Sequence, residues 1–139
     1  MAVISGSISI SSQGFTDVHE ITGQIADLLR QSGLVQGIVT VFCPSSTSGI
    51  TTIEYEPGCV ADLRRMFDEL IPIERPYEHD NTWRDANGYS HMRAALLKPS
   101  LTIPFVSGKL TLGAWQQVIF VDFDHRPRQR ELVVQMMGE

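Results

Sequence analysis

Two periods of apolar and polar residues organise the first part of the chain. Isoleucines alternate with small polar residues over residues 3–12, which predicts a strand with one buried face. The next pattern has helical spacing and opens at Asp17, which precedes Glu20 by the separation of a capping box. An apolar stripe follows, so we expect a helix that starts near Asp17 and ends at Gly33, which can supply the left-handed C-terminal turn.

The later patterns predict more strands than helices. The predicted strands cover residues 37–43, 50–55, 101–106, 110–112, 115–123 and 131–136, and the predicted helices cover residues 57–71 and 88–97. After residue 101 the strands follow one another through short turns, which indicates an antiparallel meander. This order predicts an α+β fold with a mixed, mainly antiparallel sheet and helices packed on one face, in a single domain over residues 1–139.

Composition and charge exclude several classes of function. The net charge is −5 and no basic footprint is present, so we expect no nucleic-acid partner. No apolar run approaches the roughly 20 residues of a membrane span, and the first residues lack a signal-peptide pattern. We therefore expect a cytoplasmic protein with no membrane partner. Cys43 and Cys59 are too few for a disulfide framework and are expected to be buried free thiols.

The histidine-bearing segment, residues 77–91, concentrates the polar chemistry of the chain. His79 and His91 could share a metal ion, exchange protons near neutral pH, or simply be satisfied by backbone carbonyls and water. The nearby carboxylates Glu78, Asp80 and Asp85 could act as further ligands or fix an imidazole tautomer. The spacing matches no standard zinc motif.

Two other segments could hold an anion. The hydroxyl loop, residues 45–49, offers hydroxyl and backbone donors, although it lacks the lysine and glycine spacing of a P-loop and could be an ordinary polar turn. Arg128 and Arg130 would share one face of a strand and could bind phosphate, or could be solvated in a charged hairpin. Trp83 and Trp115 are expected in the core.

Taken together, several blocks in one order resemble the YjbQ-like family, from about residue 37 to residue 139. The blocks are Val41-Phe42 with the hydroxyl loop, residues 51–58, 77–80, 87–91 and 96–104, Gly108-Lys109-Leu110, residues 112–117, Asp122-Phe123-Asp124 and residues 126–130. The resemblance implies an α+β fold with a mixed sheet, a homotrimer, and polar pockets near subunit boundaries. It also implies a weak secondary thiamine-phosphate synthase activity, which joins a pyrimidine diphosphate to a thiazole phosphate and releases pyrophosphate.

The family pattern also implies a metal site. Its histidines fall on His79 and His91, and a third normally opens the hydroxyl loop, where this chain has Ser45. The expected cofactor is a divalent metal, zinc or magnesium. A serine hydroxyl is a poor replacement for imidazole on zinc, so metal affinity would be lost or water would complete the shell. Ala114 also replaces a residue that is usually threonine.

The sequence thus yields one hypothesis for an enzyme and one for a binding protein. In the enzyme, His79, His91 and Glu54 are the candidate catalytic residues. The candidate phosphate-binding residues are Ser46, Thr47, Gly49, Arg128 and Arg130. The alternative is a trimeric protein that binds a metal or a small phosphorylated molecule without turnover. Both require the imidazoles, hydroxyls and guanidiniums to meet in one pocket.

Overall fold

The computed structural model describes all residues, Met1–Glu139, as two β-sheets and four α-helices. The strands are β1 Ala2–Ser12, β2 Asp17–Glu20, β3 Gly37–Phe42, β4 Ser48–Ile53, β5 Ser100–Val106, β6 Lys109–Leu110, β7 Gln117–Asp122 and β8 Arg128–Gly138. The helices are α1 Thr22–Ser32, α2 Pro57–Leu70, α3 Glu78–Trp83 and α4 Gly88–Leu97. The predicted α+β class is confirmed, and no helix has the length and apolar character needed to cross a membrane.

The strands form a five-stranded sheet, in the order β1-β8-β3-β5-β6, and a three-stranded sheet, in the order β2-β7-β4. Every strand pair is antiparallel, so the prediction of a single mixed sheet is wrong. The meander predicted after residue 101 is also wrong. Only β5 and β6 form a hairpin, whereas β7 joins the other sheet and β8 lies between β1 and β3. Pairing over such a separation leaves no local turn pattern in the sequence.

The molecule has three layers, because the side chains of the three-stranded sheet pack on both of its faces. A cluster of 17 buried apolar residues lies between the five-stranded sheet and a second layer made of α1 and the three-stranded sheet. In β7, Val118 and Phe120 point into this cluster, whereas Ile119 and Val121 point to the opposite face. There they pack with Phe67 of α2 and with α4. α1, α2 and α4 therefore lie on one side of the five-stranded sheet, as predicted, but they occupy two layers.

The first helix begins at Thr22, later than the sequence predicted. Asp17–Glu20 forms β2 and pairs with β7, so His19 lies on a strand, with its Nε2 2.8 Å from the Asp17 carboxylate. A capping-box spacing is a weak local preference, and pairing with a fully buried strand overrides it. The predicted end of the helix is confirmed, because Gly33 adopts the left-handed conformation with φ of 72°.

Both tryptophans lie on the surface, so the prediction that they belong to the core is wrong. Trp83 is 72% exposed at the end of α3, and Trp115 is 77% exposed in the turn before β7. Both cysteines are free thiols, as predicted, but only Cys43 is buried, whereas Cys59 is half-buried. The aromatic residues that fill the interior are phenylalanines and Tyr89.

The fold brings the loop before β4, the end of β7 and the start of α4 to one side of the molecule. Ser48, the first residue of β4, lies opposite Asp122, the last residue of β7. Helix α4 packs along β4, where Gly49 approaches Leu97 so closely that an added Cβ would lie 2.8 Å from that side chain. The N-terminal part of α4, which carries His91, therefore faces the hydroxyl loop.

Candidate functional site

A buried ion pair joins the end of β7 to the start of β8. Arg130 donates from Nε to Asp122 Oδ2 at 2.7 Å and from Nη2 to Asp122 Oδ1 at 3.0 Å. The Asp122 side chain is fully buried and that of Arg130 is 12% exposed. Burial alone lowers the pKa of Arg130, but its hydrogen bonds to Asp122 raise the pKa above its ordinary value. Arg130 therefore stays charged.

The same guanidinium fixes the hydroxyl loop. Arg130 donates from Nη1 to Ser45 Oγ at 2.9 Å and from Nη2 to Thr47 Oγ1 at 2.8 Å. With the two bonds to Asp122, four of its five N–H groups have partners. Ser46 is exposed at the tip of the loop, and its hydroxyl has no partner within the chain. Arg130 thus positions the loop, whereas Ser46 remains available to a ligand.

Asp124 forms a second buried anion, next to the first. Its Oδ1 accepts from the backbone N–H and the Nδ1 of His125, both at 2.8 Å. Its Oδ2 accepts from Arg128 Nε at 2.9 Å and from Thr47 Oγ1 at 3.3 Å, and it forms an ion pair with Arg128 Nη2 at 2.8 Å. Burial alone raises the pKa of Asp124, but the hydrogen bonds from His125 and Arg128 outweigh it and hold the pKa well below its usual range.

The histidine rings lie next to each other on two helices. His79 is in the short helix α3 and His91 is in α4. Their ring centroids are 4.2 Å apart, with an angle of 49° between the planes. Burial, and then the neighbouring His79, hold the pKa of His91 below its ordinary value. His91 is therefore mainly neutral at pH 7 and can accept a proton.

Asn87 lies between the two carboxylates Asp85 and Asp124. In one orientation its amide nitrogen donates to Asp124 Oδ1 at 3.3 Å, while its oxygen accepts from His79 Nε2 at 3.1 Å. In the reverse orientation the nitrogen lies 3.0 and 3.1 Å from the Asp85 oxygens and 3.1 Å from His79 Nε2. The reverse orientation makes more and shorter hydrogen bonds. It joins Asn87 to Asp85 and His79, and Asp124 keeps its other donors.

The remaining carboxylates of the histidine-bearing segment have local partners. Asp80 Oδ1 accepts from the Gly88 backbone N–H at 2.8 Å and so caps α4. Asp85 instead lies 3.4 Å from His79 Nε2. The side chain of Glu78 faces Asn81. Of the three carboxylates predicted around the histidines, only Asp85 therefore contacts an imidazole.

A cleft of about 210 Å³ brings His91 to the hydroxyl loop. Its walls are Ser45, Ser46, Ser48, His91, Ala94, Ala95 and Pro99. Arg130 lies behind the loop, and Thr47 connects the loop to Asp124 and so to Arg128. His91 and the hydroxyls therefore share one cleft, and hydrogen bonds through Thr47 and Asp124 connect the hydroxyl loop to Arg128 and Arg130.

Two predicted site residues do not belong to this network. Gly49 lies within β4, paired with Val121, and its missing side chain makes room for Leu97. Close packing against Leu97 therefore explains why position 49 is a glycine, and no phosphate-binding role is needed to explain it. Glu54 is exposed beyond Ile53, the last residue of β4, whereas the hydroxyl loop precedes the strand. The six residues of β4 place Glu54 about 20 Å from the hydroxyl loop, so Glu54 is not beside His79 and His91 within one chain.

The metal centre implied by the family resemblance does not fit the side chains of this chain. The third position, Ser45, accepts a hydrogen bond from the cationic Arg130, which would repel a metal ion. No three His, Cys, Asp or Glu side chains lie together in an arrangement that could hold a metal ion. His79 and His91 alone would leave most of a zinc shell to water.

Asp122, Asp124 and His125 are the site residues that the sequence analysis missed. The sequence patterns predict no site role for His125, and they include Asp122 and Asp124 only in a block of the family resemblance. A usable pattern was present, because two carboxylates at the end of an apolar strand must find cationic partners when buried. Arg128 and Arg130 repeat the same alternation a few residues later.

Comparison with known sequences places these features in a family. The family model described as "UPF0047 protein YjbQ-like" matches residues 6–139. A UPF0047 protein of Methanothermobacter thermautotrophicus is 32% identical over 139 residues, which cover 100% of this chain and 95% of the relative. A UPF0047 protein of Synechocystis is 35% identical over 132 residues, which cover 94% of this chain and 88% of the relative.

Solved structures with the same fold also exist. A YbjQ-like protein of unknown function from Sulfolobus solfataricus has a TM-score of 0.94 and 29% identity, with 99% of both chains covered. An uncharacterised conserved protein of the YjbQ/UPF0047 family from Clostridium acetobutylicum has a TM-score of 0.86 and 30% identity, with 94% of this chain and 98% of that chain covered.

Proposed function

Since the chain belongs to the UPF0047 (YjbQ-like) family, we propose that its site binds a small phosphorylated molecule and supports thiamine-phosphate synthase chemistry. In that reaction a thiazole nitrogen bonds to the methylene carbon of a pyrimidine diphosphate. The C–O bond to the diphosphate breaks, and its electron pair leaves with pyrophosphate. The negative charge that develops on the leaving group needs hydrogen-bond donors and cations already in place.

One observation carries the proposal: a neutral imidazole and a free hydroxyl line one cleft, and hydrogen bonds connect its hydroxyl loop to a partly exposed guanidinium. His91 and Ser46 line the same cleft. Arg128 is 32% exposed, and its Nη1 makes no hydrogen bond within the chain. Thr47 and Asp124 join the two sides through hydrogen bonds. A phosphoryl group is the ligand whose oxygens match donors of these kinds.

The size of the cleft limits what one chain can hold. Drug-sized ligands occupy pockets of roughly 300–1,000 Å³. A cleft of about 210 Å³ suits a phosphate or diphosphate group better than two whole substrates. The organic parts of the substrates would then extend outside the cleft, toward solvent or a second subunit. This mismatch also favours the alternative, a protein that binds a phosphorylated ligand without turnover.

Each residue then has a limited role. His91, with the tilted ring of His79 beside it, accepts or delivers a proton at the ligand. Ser46 and Arg128 contact phosphoryl oxygens. Arg130 keeps the hydroxyl loop in place, with Thr47 as one of its acceptors. Glu54 and Gly49 take no direct part, and no step passes through a metal ion.

The proposed assembly is a homotrimer, as the family resemblance implies. The outer face of the five-stranded sheet supports self-association, because it carries an apolar row in neighbouring strands. Val3 and Ile38 both lie opposite Met137, and the three are 56%, 43% and 44% exposed. Exposed apolar patches of this kind mark surfaces that bind a partner.

An assay with both substrates tests the reaction. Wild-type protein should release pyrophosphate and form thiamine phosphate. His91→Gln and Arg128→Gln should each lower kcat/KM by about 100-fold or more, which is typical of lost proton transfer for His91 and of lost charge stabilisation for Arg128. His19→Gln is the matched control, because His19 also contacts an aspartate but lies outside the network. Binding of the pyrimidine diphosphate without any product would instead support the non-catalytic alternative.

A further inference from the structure

Ser45 lines the cleft with a hydroxyl whose acceptor positions are already filled. Its Oγ accepts from Arg130 Nη1 at 2.9 Å and from the backbone N–H of Thr47 at 3.1 Å. A serine hydroxyl has two lone pairs and one hydrogen. Because both lone pairs of Ser45 are engaged, the group that it can still offer to a ligand is its O–H, as a hydrogen-bond donor.

The hydrogen of Ser45 has a poor acceptor within the chain. Its hydroxyl partner there is Thr47 Oγ1 at 3.3 Å, which is longer than the about 2.5–3.0 Å typical of a bond between two such oxygens. Thr47 Oγ1 also accepts from Arg130 Nη2 at 2.8 Å, and it donates its own hydrogen to Asp124. An anion in the cleft is the better acceptor, because charge-assisted hydrogen bonds are shorter and stronger than neutral ones.

The other two serines of the cleft differ from Ser45. Ser48 Oγ donates to the sulfur of the buried Cys43 at 3.2 Å, so its hydroxyl is directed into the interior. Ser46 is exposed at the tip of the hydroxyl loop. Among the three, Ser45 alone accepts a hydrogen bond from a cation. A hydroxyl held in this way is already oriented and polarised when a ligand arrives, so less entropy is lost on binding.

The buried charges behind the hydroxyl loop do not oppose an anion. Arg130 pairs with Asp122, and Arg128 pairs with Asp124, so the two guanidiniums balance the two carboxylates. Burial lowers the pKa of Arg130, but its hydrogen bonds to Asp122 raise the pKa above its ordinary value. The guanidinium is therefore charged at both pH 6 and pH 8, and it polarises Ser45 equally at the two values.

We propose that Ser45 donates its O–H to a phosphoryl oxygen in the cleft that it shares with His91, with Arg130 as the positioning residue that orients and polarises this hydroxyl. The ligand class is a phosphate monoester or a diphosphate. A serine with both lone pairs engaged can donate to such an oxyanion but has none left to coordinate a cation. The inference rests on the proposed binding of a phosphorylated ligand, but it does not depend on the synthase reaction.

The test measures the dissociation constant of inorganic pyrophosphate by calorimetry, with the full chain, in buffer containing a metal chelator, at pH 6 and pH 8. Ser45→Thr keeps the hydroxyl, whereas Ser45→Val removes it from a side chain of almost the same shape. Ser45→Ala removes it without added methyl groups. Thr111→Val is the matched control, because Thr111 also donates one hydroxyl hydrogen bond, at 2.9 Å to the Pro104 carbonyl, but lies just after β6, outside the cleft.

Loss of one charge-assisted hydrogen bond weakens binding by about tenfold or more. Ser45→Val and Ser45→Ala should both show this loss, by the same factor at pH 6 and pH 8, whereas Ser45→Thr and Thr111→Val should bind like wild type. The inference is overturned if Ser45→Ala binds as wild type does, or if Ser45→Thr binds no better than Ser45→Val, and the proposed binding function survives either result. A wild type that binds no pyrophosphate overturns both.

A double-mutant cycle separates a direct donor from a residue that only holds the loop. If Ser45 and Ser46 each donate to the anion, the losses of binding free energy from Ser45→Ala and Ser46→Ala add in the double variant. If Ser45 only holds the loop, Ser46→Ala has no further effect in the Ser45→Ala background, and that result excludes the donor role.

Discussion

The Asp122 carboxylate binds the Arg130 guanidinium at two points, at 2.7 and 3.0 Å, inside the junction of β7, β8 and the hydroxyl loop. This pair explains why one of the two predicted phosphate-binding arginines is mostly occupied within the chain. Arg130 holds Ser45 and Thr47 in addition to Asp122. Arg128 keeps an exposed part of its guanidinium and is the one better placed to meet a ligand.

Replacing Arg130 should destabilise the fold strongly. Arg130→Gln leaves the fully buried Asp122 without its counter-charge, and breaking a buried ion pair in this way costs about 3–5 kcal/mol. Urea unfolding monitored by circular dichroism measures the loss. Arg65→Gln is the matched control, because Arg65 pairs with Asp62 on the surface and should cost less than about 1 kcal/mol. Equal stabilities for the two variants would show that the buried pair has no structural role.

The depressed pKa of Asp124 makes stability depend on acid pH. In the unfolded chain the Asp124 carboxyl has a pKa of about 3.9. Below that pH the unfolded chain is protonated at Asp124, whereas the native state keeps this carboxyl ionised because its pKa there is lower. This contribution to stability is complete above about pH 5 and is lost as the pH falls toward the lower native pKa. Asp124→Asn should therefore be less stable than wild type at pH 7 by about 2–3 kcal/mol.

The difference between wild type and Asp124→Asn should shrink when unfolding is measured at pH 3. Other acidic groups titrate in both proteins, so the comparison isolates position 124. A difference that is the same at pH 7 and pH 3 would mean that the native state does not hold Asp124 ionised.

Gly49 should respond to substitution as a packing residue. Gly49→Ala places a methyl group 2.8 Å from the Leu97 side chain, and overpacking of this kind costs about 1–3 kcal/mol. Gly23→Ala in α1 is the control, since nothing lies within 4 Å of its added Cβ and alanine favours a helix by about 0.5–1 kcal/mol. Thermal unfolding measures both. A Gly49→Ala protein with unchanged stability but lost pyrophosphate affinity would restore the phosphate-binding role.

A charge on the outer face of the five-stranded sheet should disrupt the proposed trimer. Met137 lies opposite both Val3 and Ile38, so Met137→Glu puts a carboxylate in the middle of the apolar row. Sedimentation velocity should show a trimer for wild type and monomers for the variant. Leu70→Glu, at an exposed apolar residue in α2, should leave the trimer intact. A monomeric wild type, or a trimeric Met137→Glu protein, would exclude this face as the contact.

The sequence predicts elements well where local chemistry determines them. Helix α4 runs over Gly88–Leu97, as predicted, because a break follows it and its apolar residues keep a helical period. Helix α2 begins at Pro57, as predicted from the preference of proline for the first turn. The family can also be recognised from the sequence, because its characteristic motifs are short and occur in a fixed order along the chain.

The sequence fails where partners are distant along the chain. The separation into two sheets depends on which strand β7 joins, and no residue near β7 encodes that choice. The site residues were also missed where their partners are distant along the chain. The histidines and the hydroxyl loop stand out by composition, whereas the importance of Asp122 and Asp124 depends on their burial beside Arg128 and Arg130. A lone aspartate in a sequence gives no indication of its burial.

The most direct test of the central claim is a titration with pyrophosphate followed by NMR of the imidazole nitrogens. The account predicts that the His91 resonances shift as pyrophosphate binds and that Arg128→Gln raises the dissociation constant read at His91 by about tenfold, since both residues act on one anion. His91 resonances that do not respond, or a His91 titration that Arg128→Gln leaves unchanged, would contradict a single shared site.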